Sequence, residues 1–218
     1  QVILDWAEIN LRDFAWRHTC DPYAIFVAEF LLQQTDAPRV VPVYERFIEK
    51  YPTLASLADA PQAAVVELLH PLGFHFRARR LHRIAQLLIA DSTNAGRIPA
   101  NEDELLRLPG VGPYVARSVC SNAFHQSLAI IDTNVSRIIM RFFGFSTSRA
   151  RPRNDPMLWA FAQQIAPSFD VPHWNLALLD FGALTCTARN PRCSDCPLVA
   201  NCCYKSDLIT NGRGSPAK

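Results

Sequence analysis

Five of the seven cysteines crowd into one short stretch near the end of the chain: Cys186, Cys193, Cys196, Cys202 and Cys203. Four of them follow the pattern C-x6-C-x2-C-x5-C, within TCTARNPRCSDCPLVANCC. Thiolates this close along the chain can gather around one metal centre without help from distant segments. Structural zinc usually takes two separate close pairs, and here there is one, Cys193 with Cys196. A cubane iron–sulfur cluster accepts four Cys across a wider, uneven loop. Four-Cys metal binding is therefore expected, with cluster and zinc both open on spacing alone and Cys203 as the spare thiol. Cys20 and Cys120 stand apart and are expected to act as small apolar residues.

Two carboxylates stand in unusual company. Asp132 follows the apolar run Leu128-Ala129-Ile130-Ile131 and precedes TNVSRIIMRFF. An Asp there is a good helix N-cap. At the edge of a cleft the same group can steady a sugar oxocarbenium ion or activate water against it. Glu29 sits within IFVAEFLL, between Ala28 and Phe30. Burial there favours the protonated acid, which suits proton donation; an Arg partner would satisfy the same carboxylate structurally. A third element is ELLRLPGVGPYVARSVC. Its corner, Leu108-Pro109-Gly110-Val111-Gly112, joins two helical patterns, and its glycines permit backbone angles that a side chain would forbid. Pro113 suits the first turn of the following helix. The corner is either a plain helix–loop–helix or a helix–hairpin–helix whose exposed N–H groups hold a phosphate oxygen.

The elements that must position these groups are helical. Asp21-Pro22 forms an N-cap with Pro at the first helical position and opens YAIFVAEFLLQQT. RVVPVYERFIEKY, LASLADA, PQAAVVELLHPLG and FRARRLHRIAQLLIADS follow with helical apolar spacing. EDELLRL leads into the corner, and helices through YVARSVCSNAF, NVSRIIMRFFG, MLWAFAQQIAP and HWNLALLDFGALTC lead to the Cys loop. FSTSRARPRNDP reads as a polar loop rich in Arg and Pro. Nothing reads as a set of paired alternating strands. With 218 residues, 49% apolar and 19% charged, the chain has enough core material to exclude disorder. No run reaches the ~18 apolar residues that a membrane helix needs, and no membrane partner is expected. The first residues lack the layout of a secretory signal, so the cysteines do not read as a disulfide framework. Net charge is only +2, but among 22 basic residues only Lys50, Lys205 and Lys218 are Lys. The chain is thus rich in the better phosphate fork and poor in amine nucleophiles.

LPGVGPY, then IDTNVSR, then the four-Cys loop, in that order, resemble the endonuclease III superfamily of helix–hairpin–helix (HhH-GPD) DNA glycosylases. The resemblance covers residues 3–204. AWRHTCDPY, EFLLQQT, LGFHFRARRLHRIA, GRIP and WNLALLDFGALTC fall where the MutY adenine glycosylases and the mismatch thymine/uracil glycosylases carry related segments. It implies an all-α fold of two helical lobes. A six-helix barrel over 21–130 would hold the hairpin, over 102–124. Residues 1–20 and 131–205 would form a discontinuous iron–sulfur lobe, and 206–218 a disordered tail. DNA would lie across the cleft between the lobes with the target nucleotide extruded into it. Carried over, Asp132 is the catalytic carboxylate and Pro109, Gly110, Val111 and Gly112 hold backbone phosphate. Cys186, Cys193, Cys196 and Cys202 ligate a [4Fe-4S] cluster. Glu29 matches the acid that protonates a departing adenine, and Gln33 and Gln34 match the region that wedges into the base stack.

One departure bears on the reaction. Members that also cut the strand place a Lys two residues after the second hairpin glycine, where it attacks the sugar and forms a Schiff base. Here that position is Tyr114, and a phenol cannot form an imine. The resemblance therefore implies a hydrolase of N-glycosyl bonds without AP-lyase activity. EFLLQQT and Glu29 lean toward adenine as the excised base. RHTCDPY, Tyr114, WNLALLDFG and an end soon after the cysteines, without the extra domain by which MutY enzymes read 8-oxoguanine, lean toward a compact mismatch enzyme. The expected activity is removal of thymine or uracil opposite guanine. The alternatives are adenine opposite guanine or 8-oxoguanine, and a catalytically silent DNA-binding module, which would need neither Glu29 nor Asp132. The Arg-rich segments FRARRLHR and FSTSRARPR are expected phosphate contacts. The expected partner is double-stranded DNA with a mismatched or damaged base, bound by a monomer in the cytoplasm of a prokaryote, at the nucleoid.

Overall fold

A computed structural model describes residues 1–73, 75–92 and 96–210, with backbone only for 207–210. Phe74 of the LGFHF segment and the tail beyond 210 lie outside the described residues. Among the described residues every regular element is a helix, and no helix is long and apolar enough to cross a membrane. The α-helices are α1 (Val2–Asn10), α2 (Pro22–Leu31), α3 (Ala37–Lys50), α4 (Leu54–Ala58), α5 (Gln62–Leu69) and α6 (His75–Ala90). After them come α7 (Glu102–Leu106), α8 (Pro113–Phe124), α9 (Thr133–Phe143), α10 (Pro156–Ile165), α11 (Val171–Leu184) and α12 (Cys203–Thr210).

The chain divides into two compact units, one of Asp13–Gln126 and one of Gln1–Arg12 with the chain from Ser127 onward. The divisions fall earlier than the expected 20/21 and 130/131, for packing reasons. Trp16 meets Tyr44 of α3 edge to face at 5.2 Å, which holds the segment before α2 in the first of these units. Ala129 and Ile131 are buried in the apolar core of the other.

The Asp13–Gln126 unit is built around α2. Every residue from Tyr23 to Leu31 is buried, as an all-round apolar helix requires. Asp21 accepts from the Tyr23 N–H at 3.1 Å and Pro22 opens the first turn. The helix stops at Leu31, sooner than EFLLQQT suggested, and Gln34 adopts a left-handed φ of 57°. Phe26, Phe30, Phe47, Leu57, Leu81, Ile84 and Leu105 are among this unit's largest fully buried side chains. Cys120 is buried on α8, as expected, whereas Cys20 is exposed in the turn before α2.

In the other unit, α1 packs on α11, with Trp6 edge to face on Phe181 at 5.2 Å. Ile3, Ala7, Val135, Ile138, Ile139, Leu158, Ala162, Ala177 and Leu178 close the core. The carboxylate of Asp180 lies fully buried there. It accepts from the Arg12 guanidinium at 2.6 and 2.8 Å and from the Arg12 N–H at 2.7 Å. The segment expected as a disordered tail begins as helix: α12 runs through 206–210 and packs on α9. Its first turn is fixed by the Cys202 carbonyl, which accepts from the N–H groups of Lys205 and Ser206, each at 3.1 Å.

Candidate active site and metal centre

The hairpin corner forms as its residues dictate. Asn101 caps α7 by accepting from Asp103 and Glu104 N–H. The Val111 N–H closes the turn on Leu108 O at 3.2 Å. Gly110 takes a φ of +83°, a conformation that L side chains avoid. Gly112 is the extended N-cap of α8, with Pro113 at its first position. Arg117 on α8 bonds Glu102 on α7 at 2.8 Å, which fixes the two helices to each other. From the turn after α2, the Gln33 side-chain amide donates to Gly110 O at 3.1 Å. The structure therefore brings Gln33 to the hairpin Pro109–Gly112, while Gln34 stands exposed beside it.

Why that turn sits there is explained by Arg77, which sequence reasoning counted among phosphate contacts. It is 3% exposed and spends its donors internally. Nη1 donates to Leu31 O at 2.7 Å and to Gln33 O; Nη2 donates to Leu72 O at 2.9 Å and Gly73 O at 3.4 Å. One buried guanidinium thus satisfies the end of α2 and ties it to the turn before α6. Burial holds its pKa below the usual guanidinium value. The neighbouring Arg79, Arg80 and Arg83 are exposed.

Glu29 is 7% exposed, in the last turn of α2. The Ser118 hydroxyl on α8 donates to its Oε1 at 2.6 Å, and Asn122 Nδ2 donates to Ser118 Oγ at 3.0 Å. Tyr114, Ser118 and Asn122 follow one another at four-residue spacing, on one face of α8. That polar stripe is the signal that could have found Ser118 and Asn122 in the sequence. Tyr114 itself is half-buried at the second position of α8.

In the other unit, Asp132 is the N-cap of α9. Its Oδ1 accepts from Val135 N–H at 2.7 Å and its Oδ2 from Asn134 Nδ2 at 3.0 Å. Desolvation raises its pKa above the ordinary Asp value. The Val135 and Asn134 hydrogen bonds and the Arg137 charge work the other way. The polar chain continues: Arg137 Nη2 donates to Asn134 Oδ1 at 2.9 Å and to Gly182 O at 2.7 Å, and its Nε to Cys186 O at 2.9 Å. Gly182 permits this contact, since a Cβ there would lie 2.6 Å from Asn134 Cβ. Sequence reasoning picked out Asp132 and missed Asn134 and Arg137, which lie two and five residues on along α9.

The cysteine loop begins at Cys186, just past the end of α11. Cys186, Cys193, Cys196 and Cys202 are half-buried, and Cys203 is exposed. Burial pushes the Cys196 thiol up, and the nearby thiols of Cys186, Cys193 and Cys202 push it further, so the four expected ligands share one neighbourhood. Among the described residues no three His, Cys, Asp or Glu side chains gather as a single metal ion would need. A polynuclear cluster spreads its thiolates over several irons. Arg141 clasps the loop: its guanidinium donates to Thr187 O at 2.7 Å, Ala188 O at 3.0 Å and Cys186 Sγ at 3.6 Å, and it lies over the Tyr204 ring. The Cys186 sulfur beside the guanidiniums of Arg137 and Arg141 suits a ligand of an anionic iron–sulfur group.

Known proteins share this sequence pattern and fold. Residues 27–156 match the family described as HhH-GPD superfamily base excision DNA repair protein, and residues 186–202 the iron-sulfur binding domain of endonuclease III. A thymine-DNA glycosylase of Aeropyrum pernix is 39% identical over 206 residues, covering 93% of this chain and 92% of the relative. An adenine DNA glycosylase of Mycolicibacterium smegmatis is 37% identical, covering 94% of this chain and 68% of the relative. The solved structure of a thermostable thymine-DNA glycosylase superposes with a TM-score of 0.88 at 35% identity, over 94% of each chain.

Proposed function

Since this chain belongs to the HhH-GPD superfamily of base excision DNA repair proteins, we propose that it is a monofunctional DNA glycosylase removing thymine or uracil mispaired with guanine. Water attacks the anomeric carbon, the C1′–N bond breaks as a C1′–O bond forms, and the base leaves with a proton. In this reading Asp132 carries the reaction. Its ionised form stabilises the developing oxocarbenium charge or takes the proton of the attacking water. The supporting observation is its environment: both carboxylate oxygens are held by donors, so the group is fixed in direction while burial keeps it poised to accept a proton. Glu29, fixed by Ser118, donates to the departing base. The hairpin amides hold the backbone phosphate, and Gln33 and Gln34 fill the place of the extruded nucleotide. With Tyr114 at the hairpin and no Lys in either catalytic segment, the product is an abasic site in an intact strand.

The choice of base is supported by a likeness to thymine-DNA glycosylases that covers more than nine-tenths of their length. Adenine remains the second reading because Glu29, a buried acid on α2, is the kind of group that adenine needs to leave as a neutral base. The four cysteines would hold a [4Fe-4S] cluster, which supplies a fixed loop and an electron-transfer group outside the hydrolysis. The working form is a monomer at the nucleoid of a prokaryotic cell.

A labelled duplex panel with T:G, U:G, A:G and A:8-oxoguanine pairs tests the reading. The expected result is cleavage at T and U opposite G, seen only after alkali. Cleavage at A instead selects the second reading, and cleavage at none of the pairs selects a silent DNA-binding module.

A further inference from the structure

We infer that Arg80 is a phosphate-binding residue of the hairpin, placed to take a phosphodiester oxygen of the DNA backbone beside the turn amides. The inference rests on the reading that the hairpin meets that backbone. Arg80 lies on the exposed face of α6, and its guanidinium carbon stands 4.8 Å from the ring centre of Phe76, which is itself 41% exposed. The same side chain lies across Gly110 at the apex of the turn. A Cβ at Gly110 would come within 3.0 Å of Arg80 Cδ and 3.2 Å of its Nη1. Position 110 needs glycine for its φ of +83°, and the bare α-carbon lets the arginine lie against the turn.

An exposed arginine ordinarily loses considerable side-chain entropy when it fixes on a ligand. Arg80 loses less, because the Phe76 ring and the bare α-carbon of Gly110 already hold its stem and its fork. Cation–π stacking leaves the guanidinium edge and its N–H donors available. The turn's own donors are neutral amides, and Arg80 adds a full charge beside Gly110. The Gln33 amide bonds the carbonyl of that same glycine, so the turn after α2 and the arginine both meet the hairpin at its apex. The nearby Arg77, by contrast, is consumed by buried carbonyls and takes no part.

Binding to an undamaged duplex, measured over a range of salt concentrations, tests the inference. Each phosphate contact adds about 0.9 to the slope of log K against log salt. Arg80→Ala is expected to weaken binding and to make that slope shallower by about 0.9. Arg80→Lys restores the slope because the charge returns, but not the full affinity, because the planar stack is lost. Arg46→Ala removes one exposed charge from α3, where Arg46 donates to Pro42 O, and leaves the slope unchanged. An unchanged slope in Arg80→Ala overturns the inference and leaves the DNA reading standing. A wild-type protein whose duplex binding ignores salt overturns the DNA reading and the inference with it.

Discussion

Ser118 and Glu29 meet across 2.6 Å inside the Asp13–Gln126 unit, the hydroxyl of α8 donating to the acid of α2. This bond turns the acid toward one direction and couples it to the helix that begins at the hairpin. Glu29→Gln keeps an acceptor for Ser118 and removes the proton. The expected outcome is a folded protein whose single-turnover excision is slower by about 10²–10⁴-fold, the range for a general acid. Ser118→Ala keeps the proton and loses the aim, so a smaller loss of rate should accompany a stability loss of about 1 kcal/mol in urea unfolding. Equal rates for Glu29→Gln and wild type would make the residue a structural acid only.

Asp132 caps α9, and one substitution separates that role from the catalytic one proposed for it. Asn caps a helix nearly as well as Asp, so Asp132→Asn retains α9 and should lose about a thousandfold in single-turnover rate. The raised pKa gives this a thermodynamic companion. Above its unfolded pKa an unfolded Asp ionises freely, while the folded one resists until the pH passes its higher folded value. Folding stability is therefore lost as the pH rises through that window. Asn cannot ionise, and Asp132→Asn is expected to unfold at a higher temperature than wild type at neutral pH. Activity of the wild type should fall on the acid side, from a pH higher than an ordinary Asp would give. An active Asp132→Asn enzyme would reduce the residue to a cap.

In the proposed reaction Tyr114, in place of an amine, leaves the strand intact. Wild-type protein mixed with a mismatched duplex and borohydride should give no covalent adduct, and strand cleavage should require alkali. Tyr114→Lys puts an amine at the second position of α8, and a trapped adduct is expected to appear. An adduct with wild-type protein would refute hydrolysis without lyase chemistry.

The cysteines predict a colour. Purified protein should absorb near about 400 nm through thiolate-to-iron charge transfer. Cys202→Ser should lose that absorbance and its iron, whereas Cys203→Ser should keep both, since Cys203 is exposed and lies outside the set around Cys196. Loss of colour in both variants would mean that the register of ligands is wrong.

Much of this was legible in the residues themselves. The Asp21-Pro22 cap, the glycines of the hairpin and the Cys spacing are local signals, set by backbone angles and by contacts a few residues apart. They determined the helical class, the corner at Leu108–Gly112 and the candidate ligands. What only the tertiary structure decided are the partners of buried polar groups. Nothing near Arg77 in the sequence says that it caps α2 rather than a phosphate, because the carbonyls it satisfies belong to Leu31 and Gln33. Ser118 lies far along the chain from Glu29, and Cys186 far from Arg137. A polar group taken out of water must find a partner, and which one it finds depends on how the helices stack, which no local pattern encodes.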